Sequence, residues 1–264
     1  MKVHITLVGG QPAPVYNGIV ATRPDKVVFV YSNSEDSIEN ISFVANKGER
    51  IGIIGGTGSG KSTLINLIPR FYDVSKGRVL VDGVDVKEYS LEALRERIGI
   101  VSQKAVLFHG SIRDNMKWGK KDASDEEIYE ALRIAQAEEI VKGKDGELDF
   151  VVAQGGKNFS GGQKQRLTIA RALVRKPEIL ILDDSASALD YLTDQKLRAA
   201  IAGMKNAPTT FIVSQRTSAV RDCDKIIVLD NGRIAGIGKH EELLDGCELY
   251  KEIYDSQYKK EGAV

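Results

Sequence analysis

Gly55-Gly56-Thr57-Gly58-Ser59-Gly60-Lys61-Ser62-Thr63 follows directly on the apolar run Ile51-Gly52-Ile53-Ile54. The stretch fits G-x-x-x-x-G-K-[ST], and its context predicts a buried strand, a glycine-rich turn and a helix beginning near Lys61. Gly55, Gly58 and Gly60 give the backbone access to positive φ and let N–H groups approach a ligand closely. Those N–H groups, with roughly half a positive charge at a helix N-terminus, favour a phosphate. Lys61 is placed to reach β- and γ-phosphates, and the Ser62 hydroxyl to help hold Mg²⁺. A chance glycine-rich turn carrying a lysine is the competing explanation; the flanking strand and helix speak against it.

Outward from the loop, the helix after Lys61 is expected to run to about Arg70, with Pro69 marking its end. Residues 78–82 and 84–86 flank Asp82-Gly83, a hairpin signal. Residues 98–101 form a short strand that ends at Ser102-Gln103. From 104 to 158 the pattern turns helical and polar, with a capping box at Ser124–Glu127 and an apolar stripe of Ile128, Leu132, Ala135 and Ile140. Residues 179–182, 211–213 and 226–229 are unbroken apolar runs, suited to parallel strands covered on both faces. Toward the N-terminus, residues 3–8 and 27–31 read as strands with a helix at about 14–22 between them, and 41–44 as a further strand.

The totals narrow the function classes. At 264 residues the chain can bury one good core or two small ones. Lys plus Arg and Asp plus Glu both number 37, a balance that argues against a nucleic-acid partner. Cys223 and Cys247 are too few for a disulfide framework or a cysteine metal site and suit a reducing compartment. No apolar run approaches the roughly 20 residues that span a bilayer. The sequence therefore reads as soluble, and any membrane role needs a partner chain or a further domain.

Two more motifs follow. Ile179-Leu180-Ile181-Leu182-Asp183-Asp184 sets an acidic pair at the end of a strand. Asp183 can there hold Mg²⁺ as a Walker-B aspartate does, although such a pair can equally cap a helix. Asn158-Phe159-Ser160-Gly161-Gly162-Gln163-Lys164-Gln165-Arg166 closely resembles the LSGGQ signature of ABC ATPases, with a plain Ser-Gly helix start as the alternative. The resemblance extends over 38–258, in the motif order of an ABC exporter nucleotide-binding domain. Gln103 occupies the Q-loop position, with Ser102 where proline is usual. Residues 185–190 match the D-loop, and 110–115 resemble the exporter stretch after the Q-loop.

What the resemblance implies is an α/β P-loop NTPase with a RecA-like parallel core, an ABC helical subdomain at about 104–160 and an N-terminal β region. ATP with Mg²⁺ is the implied cofactor, held by Gly55, Gly58, Ser59, Gly60, Lys61, Ser62 and Thr63. Ser160, Gly162 and Gln163 would act on the ATP of a second domain, and Ser62, Gln103 and Asp183 would hold the metal. Tyr31, 30 residues ahead of Lys61, is placed like the aromatic residue that stacks on adenine; ending a strand is its other explanation. The implied partners are a second nucleotide-binding domain and transmembrane domains, at the cytoplasmic face of the cell membrane.

Two departures shape the expected activity. The family's catalytic glutamate is replaced by Asp184, one methylene shorter, and its switch histidine by Gln215. A misplacement of about 1 Å in an oriented group can cost roughly 10²-fold in rate. With Gln103, these are the candidate catalytic positions, and they resemble the degenerate half of a heterodimeric ABC exporter. Residues 1–37 fit the exporter pattern less well. Val8-Gly9-Gly10-Gln11-Pro12-Ala13-Pro14, with Pro24-Asp25-Lys26, resembles the opening β-α-β of CARF-type Rossmann sensors. The alternative is thus a chimera joined near 32–37 to an ABC domain at 38–264, binding ATP without transport. A parallel strand at 3–8 inside the main sheet would favour it.

Overall fold

The computed structural model describes residues 3–6 and 41–258. The expected helix at 14–22, the strand at 27–31 and Tyr31 lie outside these residues. In chain order the strands are β1 (Val3–Thr6), β2 (Phe43–Ala45), β3 (Arg50–Gly55), β4 (Arg78–Val81), β5 (Val84–Asp85) and β6 (Ile98–Val101). They continue as β7 (Gly110–Ser111), β8 (Val151–Val152), β9 (Ile179–Asp183), β10 (Thr209–Ser214), β11 (Lys225–Asp230) and β12 (Arg233–Gly238). The helices are α1 (Lys61–Asn66), α2 (Leu91–Glu96), α3 (Ile112–Lys117), α4 (Asp125–Ile134), α5 (Glu138–Lys142) and α6 (Gly161–Leu173). After them come α7 (Tyr191–Ala202), α8 (Thr217–Val220), α9 (His240–Gly246) and α10 (Glu248–Tyr258). The chain forms two units, residues 1–95 with 209–264, and residues 96–208.

In the first unit β3 lies between β10 and β11, parallel to both. Val213 and Ile227 both pair with Ile53, so the three strands run level. All six residues of β10 are buried, as is the apolar stretch of β11, which is why their sequences show unbroken apolar runs rather than alternation. β12 returns antiparallel to β11 through Asn231-Gly232, at φ 44° and 75°. Positive φ at both positions is what a two-residue hairpin turn of matching twist requires.

The same unit carries an antiparallel sheet of order β2-β1-β4-β5. Asp82 and Gly83, at φ 53° and 80°, make the expected hairpin between β4 and β5. The N-terminal strand expected at 3–8 is found at Val3–Thr6, antiparallel to both β2 and β4. It thus belongs to the antiparallel sheet. The helix expected to reach Arg70 ends at Asn66. Beyond it, Leu67, Ile68 and Arg70 donate to carbonyls three residues back, because Pro69 disfavours helical geometry at Ile68.

In the second unit β6 and β9 pair in parallel, and β7 and β8 antiparallel. The stretch expected to be helical contains α3, α4 and α5. Ser124 caps α4 as foreseen: its Oγ accepts from Glu127 N–H, while its own N–H donates to Glu127 Oε2, both at 3.3 Å. Ile128, Leu132, Ala135 and Ile140 are all buried. Gly119 follows α3 so closely against α6 that an added Cβ would lie 2.0 Å from Arg171 O. Arg175 secures the spot, donating to Gly119 O at 3.0 Å and Ile98 O at 3.1 Å.

Gly119→Ala is therefore expected to destabilise the chain by about 3 kcal/mol, since overpacking against backbone cannot relax by a rotamer change. Thermal unfolding should show Tm lower by about 5 °C or more; an unchanged Tm would contradict the packing. Arg50 and Asp224 offer a pH test in the first unit. Burial acts to raise the Asp224 pKa, but bonds from the Arg50 side chain and backbone N–H outweigh it, leaving the carboxyl below its ordinary value. The stabilisation is thus present above the unfolded carboxyl value of about 3.9 and lost as pH falls through the folded one. For so exposed a pair it amounts to at most about 1 kcal/mol. Asp224→Asn should lower stability at neutral pH, and the difference from the parent should vanish in strong acid, read by urea unfolding across pH.

Candidate functional site: a phosphate loop, an acidic strand end and a capped serine

The loop at 55–63 leaves β3 where Leu229 of β11 pairs with Gly55. A Cβ on Gly55 would sit 2.2 Å from Leu229 O and 2.7 Å from Ser59 Oγ, so no other residue fits. Gly58 and Gly60 take φ 79° and 95°, the left-handed region that glycine adopts freely. Gly60 is the residue before α1, and its carbonyl accepts from Leu64 N–H at 2.9 Å. Ser59 is buried; its carbonyl accepts from Gly232 N–H at 3.2 Å. Ser62 is exposed and Thr63 half-buried at the start of α1.

Lys61 closes the loop on itself. Its ammonium donates to Gly55 O at 2.7 Å, Gly56 O at 2.6 Å and Ser59 Oγ at 3.3 Å. No atom lies within 4 Å of where a Cβ would stand on Gly56 or Gly58, so the backbone there is open to close approach. An open glycine backbone with an ammonium at its rim fits a phosphate chain. One strand over, Ser214 pairs with Ile54. Gln215, exposed, therefore leaves β10 beside the point where the loop leaves β3. Ligands of parallel α/β sheets bind at these carboxyl ends.

In the second unit Asp183 ends β9, and Asp184 turns the chain at φ 46°. That conformation is uncommon for a side-chain-bearing residue, with aspartate among the most tolerant. Gln103, just past β6, donates from Nε2 to Asp184 Oδ2 at 3.0 Å. The acidic pair does not cap α7. Asp190 does, accepting from Thr193 N–H at 2.9 Å and Thr193 Oγ1 at 2.7 Å. Among the described residues, no group of three or more His, Cys, Asp or Glu is arranged to hold a metal.

Ser160, expected from the sequence to belong to the signature, is the residue before α6 and caps it. Its Oγ accepts from Gln163 N–H at 3.3 Å, and Gln163 Oε1 accepts from Ser160 N–H at 3.0 Å. Phe159 is buried behind it, edge-on to Phe150 with centroids 5.9 Å apart. The Lys144 ammonium lies 4.9 Å from the Phe150 centroid and 5.2 Å from that of Phe159. A Cβ on Gly162 would stand 3.0 Å from Ala188 O, whereas the space at Gly161 is open. Both cysteines are buried thiols, not joined in a disulfide.

The ABC transporter family profile matches residues 38–187. An uncharacterized ABC transporter ATP-binding protein of Bacillus subtilis, YfiB, is 46% identical over 228 residues, covering 86% of this chain and 39% of that protein. An uncharacterized ABC transporter ATP-binding protein of Mycobacterium tuberculosis is 47% identical over 250 residues, covering 93% of this chain and 42% of its own length. A putative multidrug export ATP-binding/permease protein of Bacillus subtilis, YgaD, is 42% identical, covering 88% of this chain and 40% of that protein. The chain thus spans about two fifths of the length of these relatives. The solved structure of a bacterial Atm1-family ABC exporter with ATP bound superposes with a TM-score of 0.81 at 36% identity, covering 89% of this chain and 41% of that one. The sheet of mixed direction around a phosphate loop, the motif order and these matches agree: the chain belongs to the ABC transporter family and is one of its ATPase domains.

Proposed function

We propose that this chain is the nucleotide-binding part of an exporter, that it holds MgATP on the loop at 55–63, and that its own hydrolytic site is weak. The observation that carries the reading is the level ending of β10, β3 and β11, which sets Gln215 and Leu229 beside an open glycine backbone with Lys61 at its rim. MgATP, when bound, supplies the phosphoryl group and a cation that offsets phosphate charge. Lys61 would exchange its carbonyl partners for phosphate oxygens, and Ser62, Asp183 and Gln103 would hold the cation. Asp184 carries the carboxylate at the position of the family's base, on a side chain one methylene short. Gln215 can hydrogen-bond to a γ-phosphate but cannot bring charge to it.

The signature is complete where the hydrolytic positions are not. Ser160, Gly162 and Gln163 would therefore serve ATP held by a different nucleotide-binding domain, one with its own glutamate and histidine. Backbone N–H groups at the start of α6 need no acid or base to stabilise phosphate charge. Transmembrane domains complete the assembly at the cytoplasmic face of the membrane; the ATP-binding/permease name of the Bacillus relative supports this partner. Among the described residues no helix is long and apolar enough to cross a membrane. The reading keeps an N-terminal segment at 1–37, the ABC domain at 38–264 and a helical subdomain at about 104–160. A native rather than recombinant N-terminus is supported by the antiparallel pairing of Val3–Thr6. It is also supported by matches covering 93% of the chain, more than residues 33–264 alone supply.

Lys61→Ala should weaken ATP binding at least about tenfold, as expected when hydrogen bonds to a charged group are lost. Asp184→Glu with Gln215→His should turn ATP over faster than either single change, because groups acting as a unit are non-additive. A double variant no faster than the parent, at concentrations where dimers form, removes these two positions as the limiting defect. The trans role has its own test, mixing this chain with a hydrolytically complete partner domain. Stimulated hydrolysis should vanish with Ser160→Arg while nucleotide binding to this chain stays unchanged. Stimulation that survives Ser160→Arg would rule out the trans role.

A further inference from the structure

Between β10 and α8 the chain has no regular structure of its own, and side chains hold it. Arg216 N–H donates to Ser214 Oγ at 3.0 Å. Further bonds come from Gln257, the next-to-last residue of α10. Gln257 Oε1 accepts from both Thr217 N–H and Thr217 Oγ1, each at 2.9 Å. Its Nε2 donates to Gln215 O at 2.8 Å. Thr217 N–H is a first-turn donor of α8 that no local side chain caps, and Thr217 is fully buried. A glutamine 40 residues further along the chain thus satisfies it.

The three bonds admit one orientation of one chemical group. A carboxamide has an oxygen that accepts and a nitrogen that donates. Turned over, it would set donor against Thr217 N–H and acceptor against Gln215 O. A carboxylate could serve Thr217 but would oppose the Gln215 carbonyl. The arm that carries Gln257 is itself anchored. Tyr250 of α10 is buried, with its hydroxyl 2.8 Å from His240 Nδ1, and Tyr254 packs against both His240 and Tyr258, the latter with centroids 4.5 Å apart.

We propose that Gln257 is a positioning residue for the nucleotide site: it fixes the 215–217 backbone so that Gln215 meets the γ-phosphate, and so gives the chain its preference for ATP over ADP. This rests on the reading above that the loop at 55–63 binds nucleotide. The link is geometric, since Ser214 pairs with Ile54 and the clamped arc therefore begins beside Gly55. The loop would serve the phosphates that ADP and ATP share, with Lys61 reaching the third as well, whereas the arc would touch the third alone.

The test is competition titration of the full chain with ATP and with ADP, each with Mg²⁺, against a fluorescent nucleotide analogue. Gln257→Ala should weaken ATP about tenfold, the scale of one hydrogen bond to a charged group, and leave ADP within about twofold. Gln257→Glu, of nearly the same shape, should lose the ATP preference as well, because it cannot donate to Gln215 O; it also serves should the alanine variant fail to fold. Gln215→Ala should show the same loss, and adding Gln257→Ala to it should cost nothing further, as for two residues acting through one contact. A purely structural role would instead lower both affinities together or neither, with the glutamate variant behaving as the parent. Retained ATP preference in either Gln257 variant, additive losses with Gln215→Ala, or a parent that binds ATP and ADP equally would each overturn the clamp. A parent that binds neither nucleotide would overturn the nucleotide-binding reading beneath it.

Discussion

Everything at the phosphate loop depends on how closely β3 and β11 approach. The 2.2 Å that would separate a Gly55 Cβ from Leu229 O leaves room only for hydrogen, and the chain turns there because a glycine permits it. Once turned, Gly58 and Gly60 adopt positive φ and Lys61 reaches back to the carbonyls of Gly55 and Gly56. Close contact, backbone conformation and charge converge on a few residues.

In the second unit, candidate functional positions also carry structural bonds. Ser160 and Gln163 cap one another's backbone, so their side chains hold the start of α6 in shape. Asp184 turns the chain in a conformation that suits aspartate, and its carboxylate already has Gln103 as a donor. Replacing it by a longer acid changes reach, backbone preference and partner geometry together. Reach, backbone preference and partner geometry are therefore linked at this position.

Stability and site geometry are separable elsewhere. The antiparallel sheet that includes Val3–Thr6 and the hairpin at Asp82-Gly83 supplies none of the candidate nucleotide-binding positions of the described residues. The His240–Tyr250 bond and the aromatic stack along α10 likewise lie apart from the loop, yet they fix the helix from which Gln257 reaches back. In the clamp proposed above, packing along α10 acts on the candidate site through Gln257.

The sequence by itself determined the phosphate loop, the parallel strands and the ABC family. Each rests on local chemistry: glycines with a lysine at set spacing, apolar runs of strand length, and a Ser-Gly-Gly-Gln helix start. It also specified the Ser124 cap, which needs only four consecutive residues. Tertiary structure alone decided that residues 3–6 join the antiparallel sheet, because strand direction depends on the partner and an apolar run suits either. It decided that Asp190, and not the acidic pair, caps α7, since a cap depends on where the helix begins. It alone brought Gln257 to Gln215 and Thr217. A glutamine in a polar helix carries no local signal, and the bonds it makes span 40 residues or more of chain.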